Sequence, residues 1–406
     1  MFFKCVEIES KMNRAGAEGV PFLFGLDFEM NEGFFIENPK LQNEILFEVN
    51  GIGNFHNQTV PIKFKDIYSN NLDSKASEIN KHNNKALSKQ IDKVFYEKSV
   101  VYKQNNEIFY KEANKHNDHI RYKETGVNNH NSKALYKQSK GINQDNNYQF
   151  EIFPEEYSQY KKRFEIVMEG LRRGNSYLTN LTVRTPINTS LSLKDIFMYS
   201  SSPYKLYIPN KFVCFSPECF VKINNGKIMT YPMKGTIEAD IKDAEHIIMN
   251  DDKEKAEHNT IVDLLRNDLS SVSENVIVKR FRYLDKILNN RGNLLQVSSE
   301  IEGTLNNSCL DEIGTIIFKL MPAGSVSGAP KKATMDIIRN AEQQVRGYYT
   351  GVAGYFDGKS FNSFILIRFI EQENSKLYFR SGGGITAMSD AEKEYREVLQ
   401  KVYMPF

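Results

Sequence analysis

Two pairs of glutamates stand three residues apart in the second half of this chain. Glu254 and Glu257 lie in KEKAEHNTIVDLLRNDLS, and Glu394 and Glu397 lie in SDAEKEYREVLQKV. On a helix, this spacing places both carboxylates of a pair on one face. Two such faces could bind a hard ion such as Mg²⁺, with water and substrate oxygens completing the shell. From spacing alone, salt bridging with neighbouring lysines at the surface is the better-supported interpretation, since exposed glutamates are common.

A carboxylic acid and an amine flank a predicted β-hairpin. Glu218 lies in SPECF and Lys234 in PMKGT, on either side of an Asn225-Gly226 turn. Because Asn-Gly is a strong signal for a two-residue hairpin turn, cross-strand geometry could bring the two side chains together. In a closed site they could serve as proton donor and nucleophile, if burial tunes both pKa values toward neutrality. An ordinary cross-strand Glu-Lys pair is the alternative.

Two glycine-bearing turns offer backbone amides to an anion. They are PAGSVSGAPKK (322–332) and SGGGIT (381–386). Glycine lets N-H groups approach an anion closely, and the first turn leads at Ala329-Pro330 into a predicted helix whose N-terminus favours negative charge. A carboxylate is the expected ligand, because the chain lacks the GxxxxGK[ST] pattern of a Walker-type phosphate loop. Taken singly, each turn is a weak signal, since most glycine turns are plain connections.

Composition narrows the class of partner. The 406-residue chain has 53 basic and 51 acidic residues, a net charge of +2, so no overall field favours nucleic acid or an anionic membrane. A small molecule is the expected partner. The start, MFFKCVEIES, lacks the apolar run of a signal peptide, and no apolar stretch is long enough to span a bilayer. The sequence predicts a cytoplasmic protein whose four cysteines, without CxxC pairing, are reduced and buried.

Several local patterns predict the elements that position these residues. The apolar run PFLFGLDFEM (21–30) predicts a buried strand, and apolar residues at three- and four-residue steps from Tyr157 to Leu171 predict an amphipathic helix ending near Gly174. A second hairpin is expected at Asp357-Gly358. Antiparallel strands with interspersed helices give an α+β fold.

Residues 72–147 differ from the rest of the chain. They contain 13 asparagines and 14 basic against 9 acidic residues, and HNNKALSKQ (82–90) recurs as HNSKALYKQ (130–138). Asn-rich tracts of this kind are commonly solvated inserts, although four histidines leave a metal site or a nucleic-acid arm as a lesser alternative. We therefore expect an amino-terminal part of a catalytic domain at 1–71, a flexible insertion at 72–147 and the catalytic core at 148–406.

Taken together, in this order and at these separations, the motifs resemble the chorismate-utilising enzymes. This family includes anthranilate synthase component I, aminodeoxychorismate synthase component I, and the isochorismate and salicylate synthases. The similarity covers about residues 174–402, in the segments GNSYLTNLT, SPECF, PMKGT, AEHNTIVDLLRNDLS, PAGSVSGAPK, YTGVAGY, ILIRF, SGGGIT and EYREVLQK. It implies one large domain of two antiparallel sheets packed face to face, with helices outside and the active site between the sheets.

The resemblance also implies the roles of individual residues. Magnesium is held by Glu257 and Glu397, with Glu254 and Glu394 adjacent, and the ion holds the ring carboxylate of chorismate. The remaining positions are implied substrate contacts: backbone donors to the ring carboxylate at Gly383 and Gly384, a pocket for the enolpyruvyl carboxylate at Tyr349, Arg368, Gly328 and Ala329, and Thr236 beside the PMKG segment.

Residue 234 distinguishes the branches of the family that the chain resembles. Anthranilate and isochorismate synthases typically have a small residue there, so that ammonia or water reaches ring carbon 2 directly. Lys234 instead implies an amine that attacks carbon 2 while Glu218 protonates the departing 4-hydroxyl. Ammonia then adds at carbon 4 and expels the lysine, giving 4-amino-4-deoxychorismate, the precursor of p-aminobenzoate. The resemblance therefore implies an aminodeoxychorismate synthase component I.

Some positions depart from the family pattern. Gln296 stands where a histidine is common, and Leu178-Thr179 and Phe369 replace other common residues. The missing histidine argues against an anthranilate product. No cysteine lies in a GxCxG-type glutaminase motif, so ammonia is expected from a glutamine amidotransferase partner, and a separate lyase is expected to release p-aminobenzoate. The alternatives are an anthranilate, isochorismate or salicylate product, or a binding protein that works through its Asn-rich insert.

Deleting residues 72–147 separates the enzymatic hypothesis from the binding one. If the insertion lies outside the catalytic unit, the shortened chain keeps chorismate turnover, measured as the rate of chorismate consumption with magnesium and ammonium. A scaffolding role predicts the opposite result, because the main function would then be lost with the insert.

Overall fold

A computed structural model describes residues 1–55, 148–287, 293–306 and 309–406, together with the backbone of two short strands. These strands, β6 (Val100–Gln104) and β7 (Glu107–Lys111), pair with each other as an antiparallel hairpin. The chain divides into one compact unit of residues 1–56 and 140–406 and another of residues 57–139. The expected insertion at 72–147, with its four histidines, otherwise lies outside the described residues, so its boundaries stay a prediction.

The larger unit contains two antiparallel sheets. In the first, the strands follow the order β1 (Phe2–Lys4), β3 (Glu32–Glu37), β2 (Phe22–Leu26), β18 (Val352–Phe356), β19 (Phe361–Ile365), β12 (Cys219–Asn224), β13 (Lys227–Thr230), β16 (Leu294–Thr304) and β14 (Met233–Glu238), with β15 (Glu274–Ile287) also on β16.

The second sheet has a similar size. Its strands follow the order β17 (Gly328–Ala329), β9 (Leu178–Thr189), β21 (Lys376–Ile385), β20 (Phe369–Glu373), β11 (Phe212–Ser216), β10 (Tyr204–Ile208), β4 (Leu46–Val49) and β5 (Ile52–Gly53), with β8 (Phe150–Ile152) also on β9.

Aromatic side chains join the two sheets face to face. The ring of Phe47 on β4 lies 5.3 Å from that of Tyr355 on β18, and Tyr204 on β10 stacks on Phe364 of β19 at 5.1 Å. These rings belong to one buried cluster drawn from both sheets. Large aromatic rings contribute strongly to a core because each buries much apolar area, so this cluster fixes the spacing of the sheets.

Helices cover the outer faces of the sheets. The helices of the described ranges are α1 (Cys5–Ala17), α2 (Tyr157–Arg172), α3 (Leu193–Tyr199), α4 (Ala244–Asn250), α5 (Asp252–Ser270), α6 (Ile313–Leu320), α7 (Gly324–Ser327), α8 (Lys331–Glu342) and α9 (Ala391–Gln400), with a 3-10 turn at Pro39–Leu41. Apolar residues of α1, α5 and α6 pack on the first sheet, and those of α2, α8 and α9 pack on the second.

The α+β class and the face-to-face sheets expected from the sequence are confirmed. The apolar run at 21–30 forms β2, which is buried at every position, and the predicted helix is α2. Gly174 adopts a left-handed φ of 74° just after α2, where its lack of a side chain allows the chain to leave the helix. Asn225 and Gly226 have φ of 51° and 69°, as a tight hairpin turn between β12 and β13 requires.

The cysteines match the expectation except at Cys219, which is only partly buried. All four cysteines are free thiols, and Cys5, Cys214 and Cys309 are buried. Among the described residues, none of the helices combines the length and the apolar character needed to cross a bilayer.

Candidate active site

Helix α5 presents its two glutamates toward the strand that carries Lys234. The side chain of Asp251 caps the helix by accepting the backbone N-H of Glu254 at 2.9 Å. One turn further on, Glu257 Oε2 lies 3.2 Å from Lys234 Nζ, and its Oε1 lies 3.5 Å from Lys253 Nζ. The helix therefore places the carboxylate of Glu257 in direct contact with the amine of Lys234, the predicted nucleophile.

Helix α9 contributes the second pair of glutamates. Asp390 caps this helix, and Glu394 is 4% exposed and accepts a hydrogen bond from Ser389 Oγ at 2.8 Å. Glu397 Oε1 lies 2.7 Å from Lys401 Nζ. A carboxylate as buried as Glu394 does not fit the surface salt-bridge interpretation of the glutamate spacing.

The two pairs of glutamates face each other. Burial raises the pKa of Glu254, and the nearby charge of Glu257 raises it further. Burial also raises the pKa of Glu394, and both Glu397 and Glu257, the latter from the opposite helix, add to this rise. Like charges destabilise each other's ionised forms only at short range. The carboxylates of α5 and α9 therefore share one neighbourhood.

The donor set suits a hard cation in its chemistry. The four glutamates supply carboxylate oxygens, which are the ligands that magnesium prefers. Within the described ranges, however, no three Asp, Glu, His or Cys side chains are grouped as metal ligands. Glu257 and Glu397 are paired instead with Lys234 and Lys401. Coordination of an ion by these glutamates would therefore require exchange of lysine partners.

Lys401 belongs to this site, although the sequence analysis did not single it out. Its Nζ donates to the carbonyl oxygen of Gly382 at 2.8 Å as well as pairing with Glu397. Burial lowers the pKa of Lys401, and the positive charges of Arg368 and Lys234 lower it further. Its position four residues after Glu397 is the sequence signal that could have identified it.

Glu397 has the opposite pKa shift to its neighbour Glu394. Burial alone would raise its pKa, but the charge and hydrogen bond of Lys401, with smaller contributions from Lys234 and Lys253, hold it below the ordinary value. The two members of one pair therefore have pKa values shifted in opposite directions.

Glu218 occupies the connection between β11 and β12. Its Oε1 accepts a hydrogen bond from Ser325 Oγ of α7 at 2.7 Å. Burial raises the pKa of Glu218, and the Ser325 hydrogen bond and the charges of Lys234, Arg368 and Lys401 offset part of that rise. A carboxyl group whose pKa is raised is better suited to donate a proton than one in water.

Lys234 lies close enough to Glu218 for its charge to lower the pKa of that carboxyl group. The predicted hairpin forms between β12 and β13, and Lys234 lies on the next strand, β14. β13 and β14 follow one another along the same edge of β16, because β15 pairs with the opposite edge over the whole length of that strand. On β14, Thr236 is exposed and accepts a hydrogen bond from Gln296 Nε2 at 3.5 Å.

An arginine and a buried tyrosine lie on the other side of Glu218. Arg368, just before β20, donates from Nε to Tyr403 Oη at 3.1 Å. Tyr349 is 3% exposed, and although burial raises the pKa of its hydroxyl, Arg346, Arg368 and Arg380 all lower it. Arg346 is paired with Glu342 and Arg380 with Glu371, and Arg368 adds a further positive charge that suits a carboxylate.

Glycines shape two walls of the site. A side chain at Gly383 on β21 would lie 3.4 Å from Glu394 Oε2 and 3.9 Å from Lys401 Nζ, so the bare backbone here faces the charged groups. Gly328 has φ of 122°, and a Cβ there would collide with the carbonyl oxygen of Leu178. Only glycine fits at residue 328. Gly384 and Ala329 neighbour these positions on β21 and β17.

A buried ion pair supports the segment that carries Ser325. Arg346 and Glu342 are 1% and 0% exposed and lie 2.7 Å apart. The Nη1 of Arg346 donates to the carbonyl of Val326 in α7, and Nη2 donates to that of Asn180 on β9. Glu342 also accepts the backbone N-H of Thr182. The pair thus connects α8, α7 and β9.

The sheets and the helices that cover them bring Glu397, Lys401, Lys234 and Arg368 into one site. A sequence profile of the chorismate binding enzymes matches residues 68–405. The chain therefore belongs to the chorismate binding enzyme family, as a chorismate-utilising member of the group that includes the anthranilate and aminodeoxychorismate synthases.

Individual relatives agree with this placement. The uncharacterized PabA-like protein of Pasteurella multocida is 54% identical over 258 residues, which are 64% of this chain and 80% of that protein. Aminodeoxychorismate synthase component 1 of Bacillus subtilis is 31% identical over 262 residues, 60% of this chain and 54% of that one. The solved anthranilate synthase component I of Streptococcus pneumoniae superimposes with a TM-score of 0.53 at 27% identity, covering 62% of this chain and 58% of that one.

The buried ion pair yields a stability prediction. Arg346→Met leaves Glu342 charged and unpaired in the interior, so unfolding free energy should fall by about 3–5 kcal/mol in denaturant titration. Arg346→Met combined with Glu342→Leu should recover much of that loss. Arg339→Met, on the helix that carries Glu342, is the matched control, because Arg339 and its partner Asp336 are both exposed. An equal loss in the control would contradict the assignment.

Proposed function

We propose that this chain is an aminodeoxychorismate synthase component I, which converts chorismate and ammonia to 4-amino-4-deoxychorismate. The observation that carries the proposal is the neighbourhood of Lys234 and Glu218, in which the amine of one lowers the pKa of the other's carboxyl against the effect of burial. The similarity to the B. subtilis synthase supports the same product branch.

In the proposed reaction, Lys234 acts as nucleophile and Glu218 as general acid. The neutral amine attacks ring carbon 2, the ring double bonds shift, and the bond from carbon 4 to its hydroxyl breaks as Glu218 gives that hydroxyl a proton and water leaves. Ammonia then adds at carbon 4, and the electrons return through the ring to expel Lys234. The raised pKa of Glu218 supports this role, because the group must arrive protonated.

The two carboxylates of chorismate have separate proposed sites. Arg368, Tyr349 and the Gly328-Ala329 turn lie on the positive side of the pocket and would bind the enolpyruvyl carboxylate. The backbone N-H groups of Gly383 and Gly384, with Lys401 close to Gly383, would bind the ring carboxylate. Binding both ends would orient ring carbon 2 toward the amine, with Thr236 two residues further along the same strand.

Magnesium is the proposed cofactor. Glu257 and Glu397 would hold it, with Glu254 and Glu394 adjacent, and their oxygen donors fit a hard cation. When bound, the ion supplies positive charge that polarises and orients a substrate carboxylate. The lysines that pair with these glutamates in the structure would be released to face the substrate.

Ammonia is proposed to come from a glutamine amidotransferase partner. The relatives named component 1 carry that designation because they are one part of a synthase. A separate lyase would then release p-aminobenzoate from the product. We therefore place the chain in p-aminobenzoate and folate synthesis.

Anthranilate is the main alternative product. The structural similarity to an anthranilate synthase component I favours it. Lys234 and Gln296 argue against it, because the amine occupies the approach to carbon 2 and the residue associated with pyruvate elimination is not a histidine. Isochorismate and salicylate are also less favoured, because the amine of Lys234 occupies the approach to carbon 2.

Trapping the intermediate tests the proposal. The chain incubated with chorismate and magnesium, without ammonia, should gain the mass of chorismate minus water on Lys234. Lys234→Ala should gain none, while Lys227→Ala, at an exposed lysine of β13 paired with Glu302, should still gain it. With ammonium and the lyase, wild type should form p-aminobenzoate, and a chelator should stop the reaction. Anthranilate as the product, or no adduct on folded protein, would refute the proposal.

The hydrogen bond from Ser325 gives a pH prediction. It lowers the pKa of Glu218, and removing it should raise that pKa further. Because Glu218 works in its protonated form, the activity of Ser325→Ala should persist to a higher pH than that of wild type. Ser325→Thr keeps the hydroxyl and should behave like wild type. Turnover over a pH series checks this, and a shift toward lower pH would contradict it.

A further inference from the structure

The backbone of Arg368 is held in an unusual conformation. Its φ is 53°, in the left-handed region that few residues other than glycine, asparagine and aspartate adopt. The carbonyl oxygen of Arg368 accepts the backbone N-H of Phe215 at 3.0 Å. Such conformations persist where the surroundings over-determine them, and they concentrate at ligand sites. The backbone of this arginine is therefore held in place by its hydrogen bond to β11.

The guanidinium of Arg368 uses only part of its hydrogen-bonding capacity within the described residues. Among the described residues it forms no ion pair with any Asp or Glu, and its side chain hydrogen-bonds through Nε to Tyr403 Oη at 3.1 Å. The two terminal nitrogens are thus left for a ligand. A guanidinium presents them as a planar fork that matches the two oxygens of a carboxylate.

Tyr403 is itself held in place. It is the third residue after α9, and its flanking residues Val402 and Met404 are 7% and 2% exposed. Its ring meets that of Phe215 edge-on at 6.4 Å, and the Arg368 guanidinium lies 5.5 Å from its centre. Phe215 therefore contacts both partners, through its ring and through its backbone N-H, and the phenol oxygen has a defined place.

We propose that Tyr403 is a positioning residue for the binding of a substrate carboxylate. By accepting the Nε-H of Arg368, it holds the guanidinium so that Nη1 and Nη2 face the pocket beside Tyr349 and Glu218. This inference rests on the proposed role of Arg368 in the function described above. It also gives α9 a second role, because the helix that carries Glu397 leads through Lys401 to the residue that orients the arginine.

A purely structural role for Tyr403 makes different predictions. If the phenol only packs against Phe215, Tyr403→Phe keeps the ring and leaves substrate affinity unchanged. If it orients Arg368, the loss of one hydrogen bond to a charged group should raise KM for chorismate by about 5-fold to 20-fold. The value of kcat should change much less, because the orienting hydrogen bond acts on binding of a carboxylate remote from the reacting carbons.

The experiment measures chorismate consumption, which does not depend on which product forms. Wild type, Tyr403→Phe, Arg368→Ala and the double variant are compared for KM, kcat and melting temperature, and calorimetry gives the Kd for chorismate. Tyr199→Phe is the control, since this tyrosine is 43% exposed and its ring contacts Phe406. Because Tyr403 acts through Arg368, the double variant should match Arg368→Ala alone.

The outcomes separate the two levels of inference. If Arg368→Ala leaves KM unchanged, the role of Arg368 in the proposed function is wrong, and the positioning role falls with it. If Arg368→Ala raises KM but Tyr403→Phe does not, or if the two effects multiply in the double variant, only the positioning role is overturned. A raised KM in Tyr403→Phe, with unchanged melting temperature and no added effect in the double variant, supports it.

Discussion

Balance between charges of opposite sign is the constraint on which the site depends. The carboxylates of Glu257 and Glu397, which are partly exposed, pair directly with Lys234 and Lys401. The glutamates lie on α5 and α9, which pack on different sheets. The lysines follow the same division: Lys234 is on a strand of the first sheet, and Lys401 donates to the second. Correct docking of the sheets is therefore needed before either charge pair meets its neighbours.

Repulsion between like charges remains in this arrangement. Glu254 and Glu394 both have pKa values raised by burial and by neighbouring carboxylates. Lys401 has a lowered pKa because burial and two other cations disfavour its charge. Groups held against their preferred charge state are typical of sites in which a charged ligand completes the balance. The site is thus organised before binding, and binding would relieve part of its electrostatic cost.

Several elements of the fold could be predicted from the sequence, because the patterns that indicate them lie within short segments. The Asn225-Gly226 turn, the apolar run that became β2 and the amphipathic pattern of α2 each follow from neighbouring residues alone. The pairing of β13 and β14 with β16 could not be predicted from the sequence, because the paired residues lie about 70 positions apart in the chain. For the same reason, Ser325, Lys401 and Tyr403 were missed as parts of the site: their partners come from other elements of the fold.

The two residues that flank the stretch 56–147 both pack close to one short helix, α3. Phe55 packs edge-on against Phe197 of α3 at 4.8 Å, and Tyr148 contacts Phe406, whose ring also meets Tyr199 of α3. Both exit points therefore belong to the same apolar cluster. Closing a loop between fixed points costs free energy that grows only with the logarithm of its length. A change in the number of residues between these two points is therefore expected to have little thermodynamic effect on the chemistry elsewhere.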